Sequence, residues 1–363
     1  MTEPLPWLAK CVRPMLRAAP GRIFRGADLS NIEGRVNAWL AGEQWKLDAF
    51  VLQDMGGPGI YETTAAGIVG VSIDKVTKAQ RQAQGKVPEL ACGYQGGVMA
   101  FISMAANYNT KPEDVADVAA STADPAVWAK TLARYTPQFG CGLAPEVWTG
   151  VKLVVDGWRA RHPAIVQSWW DLQDAAVEAA STPGAIISVL NGKIRYLSAK
   201  GFLWCMLPSG RLMSYPKPRV VRSKRSVVKR YPRDPTACYE AEAEFVGVTS
   251  TDEWDFVEYE RWTNACEVWG ITAGQWLPYT LHGGLQAQNN CEGVARDVLA
   301  GAMIRIDRAG YDLILHAHDE VLTECKLDFG SCKELEDLLS QGESWTTGLP
   351  LAAKAWEDER YVK

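Results

Sequence analysis

HAHDEV, residues 316–321, follows the apolar run YDLIL and stands where a buried strand is expected to end. It places four polar, titratable side chains, His316, His318, Asp319 and Glu320, where burial is costly unless a partner or ligand compensates. Metal binding, acid–base chemistry and a plain turn are each compatible with these residues. Because EVLTECK resumes the strand pattern, Asp319 is expected at the tip of a hairpin.

A second carboxylate ends another predicted strand far away in the sequence. GRIFRGADLS (21–30) predicts a strand that ends at Asp28, and NIEGRVNAWLAG (31–42) predicts the helix that follows. Taken alone, Asp28 also fits a helix N-cap or a turn. Two carboxylates at adjacent strand ends repel each other unless a cation lies between them, and Mg²⁺ prefers oxygen ligands.

Composition sets wide limits on function. The chain has 363 residues, 47% hydrophobic and 22% charged, with a net charge of -5, which neither indicates nor excludes nucleic-acid binding. Nine cysteines without a CxxC pair favour reduced thiols, and four histidines without HExxH disfavour zinc. His316 is then expected to be a strand residue satisfied by a hydrogen bond. We find no signal peptide and no apolar run that could span a membrane, and expect a cytoplasmic protein.

The middle of the chain changes from helical to strand patterns. Residues 111–182 are predicted to be mostly helical, and residues 72–97 form a helical stretch interrupted by Pro88. After residue 184, hairpins are predicted around Asn191-Gly192 and around Pro208-Ser209-Gly210. The segment 217–233 has eight Lys/Arg and no acid, and 234–260 has nine Asp/Glu and no base. A solvated face and an arm that contacts phosphates remain open for the basic segment. NNCEGVARDVLAGAMIRIDRAG (289–310) predicts an amphipathic helix.

Three segments resemble the motifs of family A (polymerase I-like) DNA polymerases, in the family order. DLSNIEGR (28–35) resembles motif A, RQAQGKVPELACGYQGG (81–97) resembles motif B, and HAHDEV resembles motif C. The resemblance implies a phage-type polymerase, expected in the cytosol of a bacterial or phage-infected host cell. Its implied fold is α+β, with a polymerase palm of antiparallel sheet and flanking helices, and mostly helical fingers with β-hairpin insertions. The implied divisions are 1–45 for the first part of the palm, 46–270 for the fingers, and 271–363 for the second part of the palm.

The resemblance also implies an activity and its catalytic residues. It implies template-directed DNA synthesis, with two-metal nucleotidyl transfer from a dNTP to a primer 3′-OH and release of pyrophosphate. Asp28 and Asp319 would ligate two Mg²⁺ ions, for which Mn²⁺ can substitute, with help from the Leu29 carbonyl. Glu320 would support the metal site, and Lys86 would hold the triphosphate and protonate the leaving pyrophosphate.

Substrate contacts follow from the same resemblance. The residues assigned to the incoming dNTP are Glu33, Arg81, Lys86, Leu90 and Tyr94, with Glu33 acting as a steric gate against ribonucleotides. The residues assigned to primer-template DNA are Gln288, Asn289, His318 and Arg211, together with Arg222, Lys224 and Arg225 of the basic segment.

Three departures from motif B concern nucleotide binding. Arg81 and Lys86 are five residues apart where the family has four, which on an ideal α-helix rotates Arg81 away from Lys86. Pro88 removes a helical hydrogen bond to the Gln84 carbonyl and predicts a kink or a helix that begins near Val87. Leu90 replaces an aromatic residue, and we expect discrimination against dideoxynucleotides.

Only 27 residues precede Asp28, so the thumb and exonuclease domains of the family are expected to be absent. A fragment, a split-gene product and a naturally thumbless polymerase are all open. The alternative function is a catalytically weak polymerase-like subunit that binds primer-template and needs a second polypeptide to supply the thumb. A metal-dependent nuclease that uses the same two carboxylates also stays open.

Overall fold

The structure is a computed structural model that describes residues 12–136, 140–238, 245–250 and 254–362, without the side chains of 223, 225–230, 232, 249, 254 and 261. The α-helices are α1 Ile32–Ala41, α2 Gln44–Asp54, α3 Ile60–Val69, α4 Lys78–Gln80, α5 Val87–Cys92, α6 Val98–Asn107, α7 Pro112–Thr122, α8 Pro125–Leu132, α9 Pro145–Arg161, α10 Pro163–Ser181, α11 Gly283–Arg308 and α12 Cys332–Ser340. A π-helix, Arg81–Lys86, joins α4 to α5, and short 3₁₀ turns lie at Ile73–Lys75 and Ser344–Thr346.

The strands are β1 Arg22–Leu29, β2 Ile186–Val189, β3 Ile194–Ala199, β4 Phe202–Met206, β5 Leu212–Pro216, β6 Arg219–Pro232, β7 Phe245–Ser250, β8 Trp254–Thr272, β9 Gln275–Thr280, β10 Leu313–Ala317, β11 Glu320–Lys326 and β12 Ala353–Asp358. Their pairings are antiparallel. The predicted mixture of helices and antiparallel sheet is confirmed.

The chain forms two compact units, and each is described by itself. The sheet unit comprises residues 1–57, 207–211 and 289–363, and the helical unit comprises 58–206 and 212–288. In the sheet unit the strand order is β10-β11-β1-β12. Helix α12 packs on β1 and β12, and apolar residues of α11 such as Val294, Val298 and Leu299 are buried. The predicted amphipathic helix is thus present, and it begins earlier, at Gly283.

The helical unit contains α3 to α10 and two further sheets. One sheet has the order β2-β3-β4-β5, and the other has β6-β8-β7 with β9 paired to β8. Both predicted hairpins are present, but the first has a four-residue loop, because Val189 pairs with Ile194 and the loop between them holds Asn191 and Gly192. Both of these loop residues have positive φ, 55° and 81°, a conformation that Asn and Gly adopt more easily than other residues.

Two findings bear on the predicted setting of the protein. The cysteines in the described part of the chain are free thiols, as predicted. No helix in the described ranges combines the length and the hydropathy needed to cross a membrane.

Candidate active site

The end of β1 and the β10–β11 turn meet at one end of the sheet. The amide of Leu29 donates to the carbonyl of Asp319 over 3.1 Å. Asp319 lies in a two-residue turn between paired Ala317 and Glu320, and Asp28 is the penultimate residue of β1. The structure therefore brings together the two strand ends that carry Asp28 and Asp319.

Sheet register places two further charged residues beside Asp28. Asp28 is directly opposite Glu320 on β11 and Lys354 on β12, and residues opposite each other in an antiparallel pair project from the same face. Lys354 is exposed. This lysine was not predicted, because neither its strand nor its register has a local signature.

Glu320 is buried, at 3% exposure, beside the end of β1. Its Oε2 accepts a hydrogen bond of 2.7 Å from the Tyr361 hydroxyl, while its Oε1 has no hydrogen-bond partner among the described residues. Burial, and then the hydrogen bond to Glu320, raise the pKa of Tyr361 to about 12. The Tyr361 ring also stacks on Trp356, with centroids 5.8 Å apart, so Tyr361 fixes one oxygen of Glu320 and leaves the other available.

The two histidines of HAHDEV have different surroundings. His318 is exposed and has φ of 53° in the turn, a conformation that is uncommon for residues other than Gly but that Asn, Asp and His adopt more often than the rest. His316 lies 3.3 Å and 3.4 Å from the two terminal nitrogens of Arg296. A hydrogen-bonded His316 confirms the strand role predicted for it.

Helix α1 is anchored behind Asp28 by a residue that the sequence did not single out. Arg35 is 0% exposed and donates to both carboxylate oxygens of Asp54, at 2.7 Å and 2.6 Å, and to the Ser30 carbonyl, at 2.7 Å. The N-cap of α1 is Asn31, which removes the N-cap explanation for Asp28. Glu33 is exposed in the first turn of α1.

In the helical unit, the residues of motif B begin with the π-helix. The backbone amide of Val87 donates to the Gln82 carbonyl, five residues earlier. The Arg81 guanidinium pairs with Glu62 and lies 5.3 Å from the centroid of the Tyr61 ring. The Lys86 ammonium lies 4.1 Å from the centroid of the Tyr108 ring. Both predicted phosphate-binding cations are thus partly exposed and rest on aromatic rings.

Helix α5 follows directly and contains Leu90, which is half-buried, as is Tyr94 just beyond it. The start of α11 approaches the chain closely here, since a Cβ on Gly284 would lie 2.4 Å from the Tyr94 carbonyl oxygen. Glycine is therefore required at 284 for this contact. Gln288 and Asn289 are consecutive, half-buried residues of α11.

Three of the remaining predicted DNA contacts, Arg211, Arg222 and Lys224, have partners within their own unit. Arg211 donates to the Asp297 carboxylate at 2.5 Å and to the Gly293 carbonyl at 2.7 Å. Lys224 pairs with Glu260, and the Arg222 guanidinium lies 5.4 Å from the Trp262 ring centroid. The basic strand β6 therefore lies against the acidic strand β8, and the side chain of Arg225 lies outside the described residues.

The carboxylates at the end of β1 fit Mg²⁺ better than zinc. Within the described ranges, no group of three or more His, Cys, Asp and Glu is arranged to hold a metal ion. Mg²⁺ is commonly held by one or two carboxylates together with substrate phosphates and water, so a pair of aspartates is a sufficient protein contribution. Oε1 of Glu320, which is buried and has no partner in the described part of the chain, adds a polar atom that a hydrated ion would satisfy.

The chain is similar to DNA polymerases over nearly its whole length. It is 29% identical over 357 residues, or 98% of the chain, to a DNA polymerase of Bacillus phage SP02. Its fold matches the POL domain of Pol1 from M. smegmatis, solved with DNA primer-template and dNTP, with a TM-score of 0.51 at 16% identity over 97% of this chain. The chain spans 44% of the phage polymerase and 42% of the solved chain, and no protein-family profile matches it. The predicted resemblance to DNA polymerases is thus confirmed in sequence by the phage protein, and the polymerase I-like fold by the Pol1 domain.

Proposed function

We propose that the chain is a template-directed DNA polymerase that transfers a nucleotide from a dNTP to a primer 3′-OH and releases pyrophosphate. The observation that carries this proposal is the hydrogen bond between Leu29 and Asp319. It joins the ends of two strands that carry Asp28 and Asp319, in a chain with a DNA polymerase relative along 98% of its length. The sheet unit would act as the palm, and the helical unit as the fingers.

In the sheet unit, Asp28 and Asp319 would hold divalent metal ions, with the Leu29 carbonyl as a further ligand. Such ions supply charge stabilisation for the attacking and leaving oxygens of phosphoryl transfer. Glu320 stays fixed through Tyr361, and its free oxygen can order a water molecule at this end of the sheet. His318, held by the turn and exposed, can donate a hydrogen bond to the primer terminus.

In the helical unit, Lys86 and Arg81 supply positive charge for the triphosphate. Phosphoryl transfer depends mainly on positioning and on stabilisation of charge, which cations provide. Lys86 can also give a proton to the leaving pyrophosphate. Leu90 would present an aliphatic surface to the sugar, and Tyr94 would lie beside the templating base.

Selection of the sugar and the grip on DNA complete the proposal. Glu33, exposed at the first turn of α1, would crowd a 2′-hydroxyl. Gln288 and Asn289 can donate to the minor-groove acceptors that all base pairs share. Sequence information then comes from base pairing, and the protein tests shape.

A second candidate is a polymerase-like subunit with weak catalysis that needs a partner chain for the thumb. The internal partners of Arg81, Arg211 and Lys224 favour it, because a cation already paired with a carboxylate gains less from binding a phosphate. On this alternative, extension by the chain alone would be slow and strongly salt-sensitive.

Primer extension by the purified chain, with Mg²⁺ and across a salt series, tests the proposal. Asp28→Asn and Asp319→Asn are expected to lower the rate roughly 1000-fold or more, while Asp337→Asn, an exposed aspartate on α12, leaves it unchanged. If the wild-type chain extends the primer no faster than the Asp319→Asn variant, the polymerase proposal is refuted and the weakly catalytic subunit is favoured. Shortening of the labelled primer without dNTPs would instead identify a nuclease.

A further inference from the structure

A fully buried histidine stands at the junction of the two longest helices of the helical unit. His162 links α9 to α10 and is 0% exposed. Its Nε2 lies 3.1 Å from Oε1 of Glu89, the third residue of α5, and its Nδ1 lies 2.7 Å from the Trp158 carbonyl oxygen. The His162 ring also stacks on the Trp158 indole, with centroids 3.9 Å apart.

The hydrogen-bond pattern determines the charge of this pair. A carbonyl oxygen only accepts, so Nδ1 of His162 carries a proton. Oε1 of Glu89 also accepts from the Thr64 hydroxyl at 2.7 Å and from the Trp158 indole N–H at 3.2 Å. With Thr64 and Trp158 already donating to Oε1, the arrangement fits an ionised Glu89 and a His162 that donates from Nε2 as well. In that state the pair is an imidazolium and a carboxylate.

The helices around the pair carry further titratable side chains. Tyr61 on α3 feels the Glu89 charge, which raises its pKa after burial, the larger cause. Two arginines on α9 have other contacts: Arg161 lies against Gly67 of α3, and Arg159 donates to the Gly96 carbonyl at 3.1 Å.

The same two helices also hold the end of motif B. The Trp169 indole N–H donates to the Gly93 carbonyl at 3.1 Å, and Arg159 holds the Gly96 carbonyl. Glu89 is fixed at the start of α5, and Gly93 and Gly96 are fixed beyond its end. Leu90 and Tyr94 lie between these fixed points along the chain.

We propose that the Glu89–His162 ion pair is the positioning device of the nucleotide-binding helix: it sets the place of Lys86 and Leu90 and thereby the affinity for dNTP. This inference rests on the proposed function. Neither residue touches the substrate on this proposal, since both side chains are buried. They act through α5, because Glu89 is one residue from Leu90 and three from Lys86.

The charge state is tested without any activity, by ¹⁵N NMR of the imidazoles in the full chain. The chain has four histidines, so the spectrum is small. One histidine should keep protons on both ring nitrogens at pH 8, its signal should vanish in His162→Gln, and it should lose one proton in Glu89→Gln. A neutral His162 ring at pH 8 would overturn the proposal.

Kinetics then test the positioning role. Glu89→Gln should raise KM for dNTP roughly 10- to 100-fold, because small misplacements of a binding group have effects of that order, with primer-template affinity unchanged. Glu178→Gln, an exposed glutamate on α10, is the matched control and should leave KM unchanged. His162→Gln, which retains a donor, should have a smaller effect than His162→Leu.

Circular dichroism establishes that each variant is folded before its KM is interpreted. A folded Glu89→Gln variant with wild-type KM for dNTP refutes the positioning role. If the wild-type chain extends no primer, the proposed function fails, while the NMR experiment and dNTP binding by equilibrium dialysis still decide whether the ion pair exists and controls affinity.

Discussion

Replacing Arg35 by lysine tests how firmly the helix behind Asp28 is held. Arg35 is fully buried and makes hydrogen bonds at 2.7 Å and 2.6 Å to the two oxygens of Asp54 and at 2.7 Å to the Ser30 carbonyl. Its guanidinium also lies 4.6 Å from the centroid of the Phe50 ring. Lysine keeps the charge, but it lacks the planar fork that reaches two carboxylate oxygens and a carbonyl together.

The magnitude follows from the bonds that lysine cannot form. A hydrogen bond to a charged group contributes about 1.5–3 kcal/mol, and Arg35→Lys loses at least one bond to Asp54 and the bond to Ser30. Two such bonds sum to about 3–6 kcal/mol, and because lysine keeps the charge we expect the lower part of that range, at or below the roughly 3–5 kcal/mol of removing one partner of a buried ion pair. The melting temperature of the transition that contains the sheet unit should fall by roughly 10 °C.

Thermal melts followed by circular dichroism and urea titrations measure the loss. Asp54→Asn and the double variant complete a cycle in which the two single losses should not add. The control is Lys333→Ala, which removes a pair whose side chains are 76% and 63% exposed and should leave the melting temperature unchanged. A melt of Arg35→Lys within about 2 °C of wild type would refute the reasoning.

Three further outcomes are expected. Glu33→Ala should raise ribonucleotide incorporation roughly tenfold or more, and an unchanged ratio of ribo- to deoxynucleotide in primer extension would show that Glu33 is no gate. The wild-type chain should discriminate against dideoxynucleotides and Leu90→Tyr should discriminate less, so equal use of ddNTP and dNTP by the wild type contradicts the assignment. Burial raises the pKa of Tyr311 and Tyr361 to about 12 from 10.0; because the fold favours the neutral phenols, their contribution to stability is present below pH 10 and is lost as pH rises towards 12. The urea midpoint of unfolding should therefore fall as the pH rises from 10 to 12, and it should fall less steeply in Tyr361→Phe. Phenolate absorbance, measured in parallel, follows the ionisation of the tyrosines.

Local patterns predicted much of the fold because the features concerned are local. Strand β1 and the hairpin of β10 and β11 follow from apolar runs bounded by polar residues, and the ends of α1 and α11 follow from Gly42 and Gly310, which both have positive φ. That Asp28 and Asp319 lie close together was predicted from the order of the motifs and not from their spacing. Their adjacency depends on a sheet order that no short pattern encodes.

Partner choice across the chain could not be predicted in this way. Arg35 finds Asp54, Glu320 finds Tyr361, and Arg211 finds Asp297. Each pair is chosen by tertiary packing, since many residues of suitable charge are available in the sequence. Arg211 shows the effect most clearly. It was assigned to the primer-template DNA from its neighbours in sequence, but in the structure it lies beside α11 and pairs with the Asp297 carboxylate.

The π-helix resolves two departures of motif B together. In a π-helix each backbone hydrogen bond reaches one residue further than in an α-helix, so position i+5 takes the place that i+4 has in an α-helix. Arg81 and Lys86 are its first and last residues, and their spacing of five therefore brings them towards the same side, where an ideal α-helix would have separated them. The two aromatic rings that these cations contact, Tyr61 and Tyr108, also lie near each other. Tyr108 contributes to the raised pKa of Tyr61, after burial and Glu89.

Pro88 gives a physical reason for the position of the π-helix. In a continuous α-helix its ring would meet the carbonyl of Gln84, to which it has no amide proton to offer. The π-helix ends at Lys86, and α5 begins at Val87. Pro88 therefore lies in the first turn of a new α-helix, where proline is tolerated. The extra residue and the proline therefore compensate each other, and a five-residue spacing in the π-helix gives Arg81 and Lys86 a placement similar to that of a four-residue spacing in an α-helix.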